Sequence, residues 1–308
     1  MYKLLRPLLL IYLFPLLVNS QAVTSIEGQM EIFNTPDSSS ISIGVNSGQA
    51  SGAIFMGPPY YYNTLIGYNS GREITDGVDN TIVGAQSGRL LTNGAKNSFF
   101  GAFAGSKLTV GNYNTLIGSF AGRDLMNASK NTFVGESSGI RTTSGSDNTF
   151  VGAQSGEKNT VGRDNTFIGH LAGNENSTGN WNTFIGKNAG KRTTTSFRNT
   201  FTGYNTGASN TTGANNSFYG ANVGTNSSTG SNNSFFGPES GESNTTGRDN
   251  SFYGWVSGNS NSTGSNNTFI GVRSGFNSEG HNNVGLGHSA GIGLESGDDN
   301  IFIGANSG

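Results

Sequence analysis

The chain has 308 residues; 32% are hydrophobic, 12% are charged and 49 are glycine. The formal net charge is −2, which points away from nucleic acid and anionic membranes as partners. Cysteine is absent, which removes disulfides, thiolate nucleophiles and zinc–thiolate sites. So much Gly, Ser and Asn would suggest disorder, were it not for a strict period.

Residues 1–20 read as a secretory signal peptide. Lys3 and Arg6 precede an apolar run, Leu8 to Val18, that is too short to span a bilayer and is interrupted by Pro15. Val18-Asn19-Ser20 places small or modest residues before a cut at Gln21, with a cut after Ala22 as the other choice. The expectation is a secreted protein, extracellular or at the cell surface, with no membrane span once the signal is removed. Residues 21–62 form an N-terminal segment. It holds one degenerate repeat, Ile41 to Gly48, and an insertion containing Pro58-Pro59 and Tyr60-Tyr61-Tyr62.

From residue 63 to 308 the chain repeats. Asn opens a unit at Asn63 and every 17 residues to Asn267, then at Asn283, one residue early, and at Asn300. In these 15 units position 1 is always Asn, and positions 5 and 9 are always Gly. Position 2 is Thr or Ser in 13 and position 3 is Phe in 11. Seventeen residues with three Gly cannot form a helical hairpin, whose repeats need about 33 residues. The length suits one coil of a β-solenoid, with a short strand at positions 2–4 and corners at the Gly. The expected fold is all-β, a parallel β-solenoid or β-roll of about 15 coils. At a strand spacing of ~4.8 Å that is a rod of roughly 70 Å.

Stacking turns each position into a column. Asn165, Asn182 and Asn199 are expected to form a side-chain amide ladder, Phe167, Phe184 and Phe201 a stacked core, and Gly169, Gly186 and Gly203 the corners. These are scaffold residues. Adjacent strand residues face opposite ways, so if Phe at position 3 points in, position 4 points out. A column of Ile, Val, Tyr and Phe on an outer face marks an interface, the alternative being a Gly-induced kink that turns both residues inward. The partner expected there is a second copy of the chain, with a trimer among the options.

The unit Asn-Thr-Phe-Ile-Gly-x-x-Ala-Gly, clearest from Asn165 to Asn199, resembles secreted bacterial and phage-like fibre proteins. It is also similar to the head β-rolls of trimeric autotransporter adhesins. The resemblance covers residues 63–308 and implies a fibre or surface-adhesin role, with no catalytic residues to carry over. Residues 63–308 show no coiled-coil stalk or anchor barrel of such adhesins, so membrane anchoring and obligate trimerisation are not expected from the resemblance, and Asn300 to Gly308 read as an open half coil without a cap. Ile41 and Ile43 of the degenerate unit are therefore expected to meet Ile301, Phe302 and Ile303 of a neighbour, head to tail.

The same columns leave little room for other chemistry. His170, His281 and His288 share no metal-ligand spacing. Asp79, Asp147, Asp164, Asp249 and Asp299 precede the unit Asn, but too many coils lack the carboxylate for a calcium column. No Gly-x-Ser-x-Gly unit with His and Asp occurs. Neither an enzyme nor a cofactor or metal site is expected. Among nine Asn-x-Ser/Thr sequons, Asn176, Asn210, Asn244 and Asn261 read as loop-borne glycosylation candidates. The Thr column at position 2 suggests an ice-ordering face. The alternative function is thus a discrete ice- or glycan-binding module, with surface glycans as a partner class.

Overall fold

The computed structural model describes residues 40–48 and 62–308, and the backbone of residues 32–34. The signal segment, most of the N-terminal segment and nearly all of the insertion lie outside the described residues.

Among the described residues seventeen three-residue strands follow one another, from β1 (Ile32–Asn34) and β2 (Ile41–Ile43) through β3 (Thr64–Ile66) to β17 (Ile301–Ile303). Strands β2 to β17 form one parallel column in which each strand pairs with the next at a fixed register, for example Phe167↔Phe184 and Phe184↔Phe201. The chain climbs about 14 turns of 17 residues from Asn63 to Asn300. The rod is therefore about 67 Å long at ~4.8 Å per turn. The short unit before Asn283 is absorbed without loss of register, since Thr268 still pairs with Val284.

Two columns fix this geometry. The first is Asn at position 1, fully or almost fully buried in every coil from Asn80 to Asn283. Oδ1 of Asn165 accepts from the backbone N–H of Asn182 at 3.0 Å and from its Nδ2 at 3.2 Å. The same Nδ2 donates to the Ser196 carbonyl at 3.0 Å, near the end of its own coil. The arrangement repeats at Asn199. Only an amide supplies one acceptor and two donors in this space; Asp lacks the donors and Leu lacks both.

The second column is Gly. Position 5 has φ near +135° (Gly186 +133°, Gly203 +137°), and a Cβ at Gly186 would strike the carbonyl of Gly203 in the next coil. Both the dihedral and the close backbone approach require Gly.

The core is one thin stack. Position 3 points inward, and Phe rings from Phe133 to Phe269 lie 4.7–5.3 Å apart. Position 8 is small, and most of its Ser hydroxyls donate to the position-3 carbonyl of the next coil, as Ser155 does to Phe167 at 3.0 Å, while Ser87 donates to the Ala104 carbonyl at 3.3 Å. Position 12 also points inward. It is aliphatic at Ile74, Leu91, Leu108 and Leu125, then polar from Thr142 to Ser278, and buried throughout. Four of its members are the expected glycosylation sites. Asn176, Asn210, Asn244 and Asn261 are each 0% exposed, so the loop-borne reading is corrected: the folded coil has no room for a sugar there.

The degenerate unit does build a coil. Ser42 takes the inward place in register with Leu65, and Ile41 and Ile43 take the outward places. However, β1 pairs antiparallel with the other edge of β2, Ile32 opposite Ile43. That edge is already hydrogen-bonded, so the expected head-to-tail joint of Ile41 and Ile43 with Ile301 to Ile303 would have to displace β1. In β17, Ile301 and Ile303 continue the outer column and Phe302 the inner one.

Candidate interaction face

Each strand from β2 to β17 sends its middle residue in and its two outer residues out, because side chains alternate along extended backbone. Positions 2 and 4 therefore share one outer face along the whole rod. Position 2 is half-buried in all coils from Thr64 to Val284. Position 4 stands further out: Ile117, Ile168, Ile185 and Ile270 are 37–45% exposed. A Thr methyl and an Ile side chain per coil make a continuous amphipathic stripe.

The two columns vary together. Position 2 is Ser in the coils where position 4 is aromatic: Ser98 with Phe100, Ser217 with Tyr219, Ser234 with Phe236, Ser251 with Tyr253. In the coils opening at Asn63 to Asn267, position 2 is Thr wherever position 4 is Ile, Val or Thr; the end coils, with Ile41 and Ile43 and with Ile301 and Ile303, do not follow this pairing. A bulkier residue at one place accompanies a smaller one at the other, as expected of side chains that fill a common space. In the aromatic block the rings of Tyr219 and Phe236 stack at 4.7 Å, and those of Phe236 and Tyr253 at 4.8 Å. Their faces cover one another, so the block presents ring edges and phenol hydroxyls outward.

Two margins border the stripe. One is position 17, the residue just before the unit Asn, which adopts a left-handed φ of 46–62° in each of the 15 coils from Tyr62 to Asp299. It carries Lys130, Asp147, Asp164, Trp181 and Arg198. Within the chain, Lys130 Nζ reaches Asp147 Oδ1 at 3.8 Å, and Arg198 lies 5.5 Å from the Trp181 ring centroid. The other margin is position 6, just after the Gly corner, with Glu136, His170, Lys187, Tyr204 and Trp255 all exposed.

The remaining polar residues do not converge. Among the described residues no group of three His, Asp or Glu side chains is placed to hold a metal ion. His281 Nδ1 accepts from the Ser265 N–H at 3.2 Å, and His170 and His288 lie in the position-6 margin several coils apart. Asp249 and Asp299 accept from the amides of Asn232 and Asn282 in the preceding coils. The tightest charge cluster is Lys107–Asp124–Arg123, with N···O distances of 2.8 and 2.7 Å. Burial pushes the Asp124 carboxyl up, but the hydrogen bonds from Arg123 and Lys107 outweigh it and hold the group below its ordinary value.

Sequence reasoning identified the position-4 stripe and left out three of its properties. These are the shared face with position 2, the Ser–aromatic pairing, and the charged margins. The pairing was readable by setting the two columns side by side. The margins were not, because position 17 has no dominant residue type.

Comparison with protein-family models, curated proteins and solved structures finds no match to this chain.

Proposed function

We propose that the protein is a secreted structural rod, a subunit of an extracellular fibre or surface adhesin that associates with itself through its outer strand face. The observation that carries the reading is the stripe itself: one Thr or Ser and one apolar side chain per coil, unbroken from Thr64 to Ile270 except at Thr202. Exposed apolar surface of that extent marks an interaction site in a soluble protein. The scaffold behind it suits a mechanical role. The Asn ladder joins each coil from Asn63 to Asn300 to its neighbours, and stacked Phe rings reinforce it from Phe133 to Phe269, so stiffness is distributed along the length. The resemblance of the repeat to secreted fibre proteins agrees with this reading, as does the signal-like segment at residues 1–20. The stacked rings of Tyr219, Phe236 and Tyr253 offer edges rather than free faces, which favours packing against protein over stacking on a sugar.

Negative-stain electron microscopy of the secreted chain over a range of concentrations tests the proposal. Rods aligned side by side, increasing with concentration, are expected. Isolated single rods at every concentration would contradict it and would favour a discrete glycan- or ice-binding module.

A further inference from the structure

We infer that the outer face pairs with the same face of a second copy, the two rods parallel and with equal coils side by side. The inference rests on the lateral self-association proposed above and adds its orientation and register.

A twofold axis along the rods would place position 2 of each coil opposite position 4 of the same coil in the partner. Ser217, Ser234 and Ser251 then face the partner's Tyr219, Phe236 and Tyr253. In the aliphatic coils Thr faces Ile or Val, as Thr183 faces the partner's Ile185. The small-with-large rule within each coil thus becomes steric complementarity between copies. An antiparallel pair would set position 4 against position 4 and leave the rule without a role across the interface.

The same axis sets the position-17 margin of one copy against the position-6 margin of the other. Lys130 meets the partner's Glu136, and Asp164 meets the partner's His170. Trp181 meets the partner's Lys187, and Arg198 meets the partner's Tyr204, two cation–π matches. Within one chain these pairs are six residues apart across the strand, about 20 Å at ~3.3 Å per residue, so the chain cannot satisfy them itself. In no described coil does this register oppose like charges. A slip of one coil in either direction sets Asp147 against the partner's Glu136 and Arg198 against the partner's Lys187. The Ile and Val stripe alone is indifferent to such slips, because it repeats every coil. The charged margins and the aromatic block Tyr219–Phe236–Tyr253 remove that degeneracy.

The area is sufficient. A stripe three residues wide, ~10 Å, and ~67 Å long covers about 670 Å² per copy, or about 1,300 Å² for the pair, before the margins are added. Stable interfaces begin near about 1,200 Å² in total.

The absence of cysteine makes the test clean. Lys130→Cys and Glu136→Cys chains are purified separately, mixed and oxidised. The mixed 130–136 disulfide is expected to exceed both same-residue products several-fold. Dominance of either same-residue product overturns the parallel register. In parallel, Lys130→Glu and Glu136→Lys are each expected to weaken the dimer about 3- to 10-fold in sedimentation velocity, two symmetric contacts being lost. The double exchange should restore it, and failure to restore overturns the pairing. A chain that stays monomeric at every concentration overturns the lateral self-association itself. A dimer with the wrong cross-links overturns only the register, and a three-copy assembly overturns the twofold.

Discussion

The coils opening at Asn63 to Asn114 and those opening at Asn131 to Asn267 share one backbone and differ in what fills it. In the first group position 3 is Leu65, Ile82, Phe99 or Leu116, and position 12 is Ile74, Leu91, Leu108 or Leu125. In the second, position 3 is Phe throughout, and position 12 is Thr, Asn or Ser from Thr142 to Ser278. In three of the four coils of the first group two medium aliphatic side chains stand where the second group has a large ring and a polar group; the coil opening at Asn97 holds Phe99 together with Leu108. Interiors are packed to near-crystalline density, so the two positions answer to one volume rather than separately. The Asn ladder crosses the boundary unchanged, as do the Gly at positions 5 and 9. Those columns define the coil, and the core is a filling that can be chosen in more than one way.

The choices are not equivalent in energy. Position 12 of the aromatic coils is only partly hydrogen-bonded. Asn176 Nδ2 reaches Asn159 Oδ1 at 2.8 Å, whereas Thr193 Oγ1 and both amide atoms of Asn210 have no partner. Unpartnered buried polar atoms cost about 1–3 kcal/mol each. Dispersion along the continuous ring stack offsets that cost, since a buried ring gains many weak contacts at once.

The largest expected effect tests what the two regions share. Asn114→Ala and Asn182→Ala should each destabilise the protein by about 3 kcal/mol, because each orphans buried donors and acceptors in adjacent coils. Denaturant midpoints of the two variants should agree, and a cost confined to one region would separate the ladders. Next come exchanges of filling. Phe184→Leu should cost about 1–2 kcal/mol by leaving a gap, and Leu116→Phe less than that by overpacking, since the preceding coil already holds Phe99 with Leu108. Adding Thr193→Leu to Phe184→Leu should recover at least half of the loss. Additive losses in the double variant would mean that positions 3 and 12 do not share a volume. Thr193→Val keeps the shape and removes an unpartnered hydroxyl, so it should stabilise by about 1 kcal/mol, seen as a raised thermal midpoint.

The smallest effect is electrostatic and lies in the aliphatic coils. Asp124→Asn should cost about 0.5–1 kcal/mol at pH 7. The Asp124 carboxyl is held below its ordinary value when folded, so its contribution is full above about pH 4, where the unfolded group is ionised. It is lost as pH falls through the lower folded value. Thermal midpoints of the variant and the unaltered chain should therefore converge at acid pH; a gap that persists there would show that the ion pairs are not its cause.

Much of this was legible in the residues. The spacing of 17, the invariant Asn and the Gly at positions 5 and 9 are enough to specify stacked coils, and the alternation of a three-residue strand places Phe inward and Ile outward. Position 12 was not legible. Its identity drifts from Leu to Thr, Asn and Ser, so no column stands out, and Asn176-Ser177-Thr178 reads first as a surface sequon. Nor was β1, since three residues outside the repeat carry no periodic signal, and its antiparallel pairing on β2 is a long-range event. The Ser–aromatic pairing was present in the sequence but becomes meaningful only once positions 2 and 4 are known to share a face.

Small-angle X-ray scattering of the chain over a concentration series tests the lateral account most directly. Side-by-side pairing predicts that mass per unit length doubles while the rod stays near 70 Å, as expected for about 14 coils at ~4.8 Å each. Growth in length at constant mass per unit length, or no change in either, would contradict it.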